Sequence, residues 1–153
     1  MPSAFFPSCS DSRSARLLVA GFGCRRGCGA EELQRLLAGS LRECGLNVAD
    51  LHALASLDGK LGEPGLVVLA EQLGLPLHGL CVERLREYEP RLTSHSAAAR
   101  RITGCAGVAE ASALALAEAL GGAPAKLLIA KRRSANATFA LAHVAAPSHL
   151  EHP

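Results

Sequence analysis

The chain has 153 residues, of which 49% are hydrophobic, and its formal net charge at pH 7 is +2. This length and composition predict one globular domain, with an aliphatic core because the chain contains four Phe, one Tyr and no Trp. So small a charge and so few aromatic side chains argue against a DNA- or RNA-binding surface, which needs dense cations or stacking platforms. No apolar run approaches the ~20 residues of a membrane-spanning helix, so no membrane segment is expected.

The two ends of the chain are expected to lie outside the domain. Residues 1–15 are rich in Ser and Pro, as in a flexible leader, and residues 147–153 are predicted as a flexible tail, which leaves a domain over 16–146. No basic stretch followed by an apolar core marks a secretory signal, so the expected location is the cytoplasm. In that reducing compartment the six cysteines are predicted to be mostly free thiols.

The first half of the chain alternates predicted strands and helices. Leu17–Ala20 is predicted as a strand, and an amphipathic helix over Glu31–Cys44 follows a glycine-rich turn. Leu51–Ala55 is predicted as the second strand. A helix then opens at Glu63-Pro64, where proline suits the first helical position, and ends at Gly74.

The second half adds one strand, three helical segments and a hairpin. In chain order these are Leu77–Leu80, Val82–Glu87, Ser96–Arg101, Val108–Leu120 and the hairpin strands Lys126–Ala130 and Thr138–Ala142. Lys131, Arg132 and Arg133 are predicted to lie at the solvated tip of the hairpin, with a contribution to a ligand site as the alternative. Strands that alternate with helices predict a single α/β layered domain, with a mostly parallel sheet, helices on both faces and an antiparallel C-terminal hairpin.

The segment Gly21-Phe22-Gly23-Cys24-Arg25-Arg26-Gly27 lies between the first strand and the first helix. Unpaired N–H groups at a helix start attract anions, glycines let the backbone approach a ligand, and arginine forks bind carboxylate or phosphate. The segment therefore predicts an anion site, with a plain turn and solvated arginines as the alternative. The Gly-Lys-Ser/Thr ending of a phosphate-binding P-loop is missing.

The loop after the second strand carries Ser56, Asp58, Lys60 and Glu63 within eight residues. In an open α/β sheet, ligands bind beyond the carboxyl ends of the strands, where this loop and the glycine–arginine segment meet if the first two strands are parallel neighbours. The alternative is that Lys60 and Glu63 form an exposed surface pair that contributes little.

The third candidate segment, Thr103-Gly104-Cys105-Ala106-Gly107, is a second glycine turn directly before a helix. It repeats the anion-site reasoning of the first. Glu110 lies in the first turn of that helix, where its carboxylate either only stabilises the helix dipole or acts as a general acid–base in a cleft.

Metal and nucleophile patterns are weak in this chain. Cys24 and Cys28 are four residues apart, but no second pair of ligands accompanies them, so no metal and no other cofactor is expected. No Gly-x-Ser-x-Gly elbow is present, and no nucleophile is predicted.

Taken together, these segments resemble one family. Gly21–Gly27, Ala55–Lys60 with Glu63–Leu66, and Thr103–Ala111 occur in the order and spacing of the CobE and CbiG C-terminal domain family of cobalamin biosynthesis, followed by the hairpin strands. The resemblance extends from Arg16 to Ala142. One departure is Cys28-Gly29, where CbiG proteins often carry Thr or Ser after the arginines.

This resemblance implies a role in building the corrin ring, of the aerobic-route CobE type. A precorrin or corrinoid intermediate is the expected ligand, since its acetate and propionate edges suit glycine turns and arginine forks. The ligand-binding residues so predicted are Gly21, Gly23, Cys24, Arg25, Arg26, Gly27, Ser56, Lys60, Thr103, Gly104 and Gly107.

Two other functions stay open at this point. One is a hydrolase-type enzyme acting on the precorrin macrocycle or its lactone, as CbiG does, with Lys60 as electrostatic stabiliser and Glu63 or Glu110 as general acid–base. The other is an assembly partner of further pathway enzymes.

Overall fold

The computed structural model describes residues 16–145, so the predicted leader and tail lie outside the described residues. Within this part of the chain, strands and helices alternate as far as the third strand, and three consecutive helices and two consecutive strands follow, in the order that the sequence predicts. These elements are β1 (Arg16–Cys24), α1 (Ala30–Glu43), β2 (Ala53–Leu57), α2 (Pro64–Leu73), β3 (Leu77–Leu80), α3 (Val82–Arg86), α4 (Ala97–Thr103), α5 (Val108–Gly121), β4 (Lys126–Arg133) and β5 (Ala137–Ala145).

The strands form one mixed sheet in the order β3-β2-β1-β5-β4. β1 pairs in parallel with β2, and β2 with β3, whereas β5 pairs antiparallel with both β1 and β4. The α/β class and the antiparallel C-terminal hairpin are therefore confirmed. Because β5 docks against β1, the first strand lies at the centre of the sheet.

Helices cover both faces of the sheet, and alternate residues of β1 point to opposite faces. Leu18, Ala20 and Phe22 pack in one core with α1 and α2, whereas Val19 packs in the other core with α5. α5 buries ten consecutive residues, Val108 to Ala117, which is why its sequence is mostly apolar on every side, with Glu110 and Ser112 as the exceptions.

β1 is longer than the predicted Leu17–Ala20, because β5 supplies ladder partners as far as Cys24. Gly21 and Gly23 are thus strand residues, and the turn after the strand begins at Arg25. Gly21 is required by packing: a methyl group placed on it would lie 2.1 Å from the carbonyl oxygen of Ala109 in α5.

The prediction that Lys131, Arg132 and Arg133 form a hairpin tip is wrong, since all three belong to β4. The register of β4 against β5 shifts between Ile129 and Arg132. At this irregularity the backbone N–H of Lys131 leaves the ladder and donates to Glu110 Oε2 at 2.8 Å. The hairpin turn is Ser134 to Asn136.

The remaining boundaries differ little from the sequence-based expectations. β2 ends two residues later than predicted, at Leu57, and α2 begins at Pro64 and is capped by Gly74 in a left-handed conformation, φ 67°. Among the described residues, no single helix is long and apolar enough to cross a membrane, and the bent pair of α4 and α5 passes only on combined length and composition.

Candidate functional site

The carboxyl ends of the parallel strands β1, β2 and β3 lie at one edge of the sheet. The start of α5 lies at the same edge, since a methyl group on Gly23 would lie 3.6 Å from Val108 Cβ. The turn before α5 also touches the start of α3, because a methyl group on Gly104 would lie 2.9 Å from Val82 Cγ2. We call this edge, formed by residues 25–29, 58–63, 81–82 and 103–107, the carboxyl rim.

The arginine turn, residues 25–28, is held by backbone hydrogen bonds on both sides. Arg25 N donates to the carbonyl oxygen of Asn136 at 2.9 Å, and Cys28 N closes the turn on the Arg25 carbonyl oxygen at 3.0 Å. Gly27, at φ 82°, donates its N–H to Glu63 Oε2 at 2.7 Å. Two backbone donors that the sequence assigned to an anion are therefore already bonded within the chain.

The side chains of Arg25 and Arg26 are free of such internal partners. Both residues are exposed, and neither guanidinium makes a hydrogen bond or ion pair with any residue between 16 and 145. Since guanidinium groups stay charged and present forked donors, the turn offers two cations to solvent on a fixed backbone.

Lys60 and Glu63 lie beside the arginine turn, at the convergence of loops that the parallel pairing predicts. Their Nζ and Oε1 atoms are 3.8 Å apart, and the two side chains are 24% and 9% exposed. Glu63 is buried because it links the two loops, so this is not the fully exposed surface pair that was the alternative. Lys60 keeps hydrogen-bonding capacity, because an ammonium has three donors and this contact is long.

Cys24 and Cys28 flank the arginine turn on the face covered by α1 and α2. Burial raises the pKa of the Cys24 thiol, and the nearby Lys60 ammonium only partly opposes this. Burial and the Glu32 carboxylate raise the pKa of Cys28 to about 11. Both thiols are thus protonated near neutral pH. Within residues 16–145, no three His, Cys, Asp or Glu side chains are placed to hold a metal ion.

Ser56 and the strand glycines make internal contacts. Ser56 is fully buried, and its hydroxyl donates to the Phe22 carbonyl oxygen at 2.7 Å, tying β2 to β1. Gly21 faces α5, and Gly23 faces Thr138 and Val108. The structure places these three predicted ligand residues behind the rim.

The second glycine turn, residues 103–107, is closed by the chain's own groups. Cys105 N donates to Thr103 Oγ1 at 3.1 Å, and Ala106 N donates to Glu89 Oε2 at 2.9 Å. The Glu89 carboxylate thus occupies the place where an external anion was expected. No hydrogen bond or ion pair between described residues joins this turn to the arginine turn.

Glu110 is 1% exposed and anchors two segments of the chain. Its carboxylate accepts hydrogen bonds from Thr93 N at 2.8 Å, Thr93 Oγ1 at 2.5 Å and Lys131 N at 2.8 Å. Three donors hold a buried charge in one position and compensate its desolvation. This arrangement gives Glu110 a structural task at the β4 irregularity.

Glu32 is the residue at this edge that sequence reasoning missed. Its carboxylate accepts from the Ser134 hydroxyl, from Asn136 N at 2.7 Å and from Asn136 Nδ2 at 3.0 Å. These bonds, that of Ser134 first, lower the pKa of Glu32 from 4.5 to about 2. In the sequence Glu32 only suits the first turn of a helix, and its partners lie about a hundred positions away.

Comparisons with known proteins agree with this fold and assign its class. A model of the family described as "Cobalamin synthesis G C-terminus" matches residues 18–142. Protein CobE of Sinorhizobium sp is 36% identical over 135 residues, which cover 88% of this chain and 85% of that protein. A crystal structure of CobE, a protein from the cobalamin biosynthetic pathway, has a TM-score of 0.81 at 57% identity and covers 84% of this chain and 91% of its own.

A third relative carries an enzymatic name. Cobalt-precorrin-5A hydrolase of Salmonella typhimurium is 42% identical over 72 residues, which are 47% of this chain but only 20% of the hydrolase. The fold and these matches define a cobalamin biosynthesis protein of the CobE and CbiG C-terminal type. The chain belongs to the cobalamin synthesis G C-terminus family.

Proposed function

We propose that this protein binds a carboxylate-rich precorrin or corrinoid intermediate at the carboxyl rim, in the cytoplasm. Arg25, Arg26 and Lys60 are the partners of the ligand carboxylates. The observation that carries the proposal is the pair of exposed guanidinium groups, without a partner among residues 16–145, on a turn whose backbone is bonded on both sides. A fixed backbone lowers the entropy lost on binding, so forked contacts to a carboxylate gain affinity.

The shape of the ligand agrees with the arrangement of the rim. A corrin precursor is a broad, largely apolar macrocycle with acetate and propionate groups around its edge, so it needs cations at separate points. The arginine turn and Lys60 supply them from two neighbouring loops, with the half-buried Cys24 behind them. Thr103, Gly104 and Gly107 form the part of the rim next to α3 and contribute shape, because the N–H groups of that turn are used internally.

Absorption titration with two corrins tests the proposal. Cobyrinic acid carries free carboxylates on its side chains, whereas cobinamide carries amides on the same ring. We expect tighter binding of cobyrinic acid, and an affinity at least about tenfold weaker in Arg25→Ala/Arg26→Ala, since each lost charged contact is worth roughly 1.5–3 kcal/mol. Arg35→Ala/Arg42→Ala, which removes two exposed arginines of α1, is the charge-matched control and should bind as the wild type does.

Equal affinity for the two corrins, or unchanged binding in the double variant, contradicts the proposed contacts. Failure to bind any corrin, together with retention of another pathway enzyme in a pull-down, favours the assembly-partner alternative.

A hydrolase is the second candidate, favoured by the 42% identity to part of cobalt-precorrin-5A hydrolase. In this proposal Lys60 stabilises developing negative charge, and Glu63 or Glu110 transfers the proton. Incubation with cobalt-precorrin-5A and detection of released acetaldehyde is the test. Turnover that falls in Glu63→Gln but survives in Glu110→Gln assigns the proton transfer to Glu63, and no turnover in the wild type rejects the candidate.

A further inference from the structure

We propose that Glu32 is a positioning residue of the carboxyl rim, which fixes the Arg25 backbone through the β4–β5 turn and so sets the direction of the two arginine side chains. This inference rests on the proposed function, because the arginines are its ligand contacts. It adds a residue outside the segments that the sequence singled out.

The first step is the contact between α1 and the β4–β5 turn. Glu32 accepts from three donors of Ser134 and Asn136, including a backbone N–H, so both oxygens of its carboxylate are engaged. Hydrogen bonds to an ionised carboxylate are short and about twice as strong as neutral ones. The turn between β4 and β5 is thereby attached to the first helical turn of α1.

The second step runs from that turn to the arginines. The carbonyl oxygen of Asn136, the residue that Glu32 holds by its N–H and its side-chain amide, accepts the Arg25 N–H at 2.9 Å. Glu32 also lies at the other end of the arginine turn, where Cys28 Sγ is 3.7 Å from Glu32 Oε1. One carboxylate therefore contacts or controls both ends of residues 25–28.

The third step separates Glu32 from Glu63, which also holds the arginine turn. Glu63 forms an ion pair with Lys60, a proposed ligand contact, so any change of Glu63 alters the charge seen by the ligand. No described cation pairs with Glu32. Loss of the Glu32 charge by itself would strengthen the binding of an anionic ligand, so a weaker affinity has to come from the position of the arginines.

Glu32→Gln tests the proposal, with Glu43→Gln as a matched control. Glu43 lies at the other end of the same helix and pairs with Arg132 of β4 at 2.6 Å. Each variant therefore loses one carboxylate that joins α1 to the β4–β5 hairpin, but only Glu32 contacts the turn of that hairpin. Two quantities are measured: hydrogen exchange of the Arg25 amide, and the affinity for cobyrinic acid. Circular dichroism verifies that each variant is folded.

In Glu32→Gln we expect faster hydrogen exchange of the Arg25 amide and an affinity for cobyrinic acid about three- to tenfold weaker, since a guanidinium group that points away from the ligand carboxylate loses part of its contact. Asn136→Ala, which removes only the side-chain donor, should change both quantities in the same direction by less. Glu43→Gln should leave both at wild-type values.

Arg25 exchange that is equal in Glu32→Gln and Glu43→Gln overturns the proposal whatever the ligand result. So does faster exchange with an affinity within twofold of the wild type. If the wild-type protein does not bind cobyrinic acid, the proposed function itself is overturned. This outcome is distinguishable from the other two because it is seen in the unmutated protein.

Discussion

Two glycine turns at the same edge of the sheet, each directly before a helix, differ in how their polar groups are used. In the arginine turn the backbone donors bind Asn136 and Glu63, and the guanidinium groups remain exposed. At the second turn Glu89 accepts the Ala106 N–H and also forms an ion pair with Arg100 at 2.9 Å. The charges of this carboxylate and this guanidinium therefore neutralise each other. A glycine turn before a helix is thus no anion site by itself. Whether the cations next to it are already paired determines whether it can bind an anion.

The largest expected effect comes from Gly21, because its missing side chain lets α5, which follows the second turn, pack directly against β1, which precedes the first. Gly21→Ala puts a methyl group 2.1 Å from Ala109 O, which forces α5 off β1 and separates the second turn from the end of the first strand. Overpacking of this kind costs about 3 kcal/mol, and the melting temperature should fall by roughly 10 °C. The measurement is thermal unfolding followed by circular dichroism.

Gly39→Ala is the matched control, since nothing lies within 4 Å of a methyl group on that residue of α1. It should stabilise the protein slightly, as expected for alanine in place of glycine in a helix. Equal melting temperatures in the two variants would show that the packing of α5 on β1 does not require a glycine at position 21.

The helices, the parallel pairs and the closing hairpin could be predicted because each has a local signal: apolar periodicity, a proline at a helix start, a glycine at a helix end. The end of β1 could not. Gly21 and Gly23 suggest a turn when read locally, and only the approach of α5 and the partner strand β5 make them strand residues.

The candidate site was also predictable only in part. Because β1 and β2 are parallel neighbours, the loops that follow them meet, and the strand order therefore predicts that Lys60 and Glu63 lie beside the arginine turn. The engagement of Glu32 with Asn136, of Glu89 with Ala106, and of Glu110 with Lys131 joins positions 17 to 104 residues apart. Nothing in local spacing reveals such bonds, and they determine which donors are left for a ligand.

A smaller effect separates the two turns by function. Glu89→Ala removes the acceptor of Ala106 N and should cost about 1–2 kcal/mol of stability, since a buried donor is left unpaired. Its affinity for cobyrinic acid should stay within about twofold of the wild type, because the proposed carboxylate contacts belong to the arginine turn and Lys60. Arg25→Ala/Arg26→Ala should show the reverse, with weak binding and unchanged stability. Comparable losses of affinity in both would contradict the assignment of the carboxylate contacts to the arginine turn, and would give the second turn an equal part in binding.

The smallest expected effect is a pH dependence of the unfolding free energy that comes from Glu32, beside the arginine turn. The pKa of Glu32 is lowered from 4.5 to about 2, so its bonds stabilise the folded protein fully above its unfolded-state pKa. This stabilisation is lost as the pH falls from about 4.5 towards 2, when the unfolded chain binds the proton first. The difference in unfolding free energy between wild type and Glu32→Gln, from urea unfolding at a series of pH values, should therefore narrow below pH 5.

Ser134→Ala removes the leading cause of the lowered Glu32 pKa and should reduce the same pH-dependent difference. Parallel curves from pH 7 to pH 3 would mean that the carboxylate bonds to Ser134 and Asn136 contribute nothing to folding. The Asn136 carbonyl oxygen would then hold the Arg25 N–H without help from Glu32.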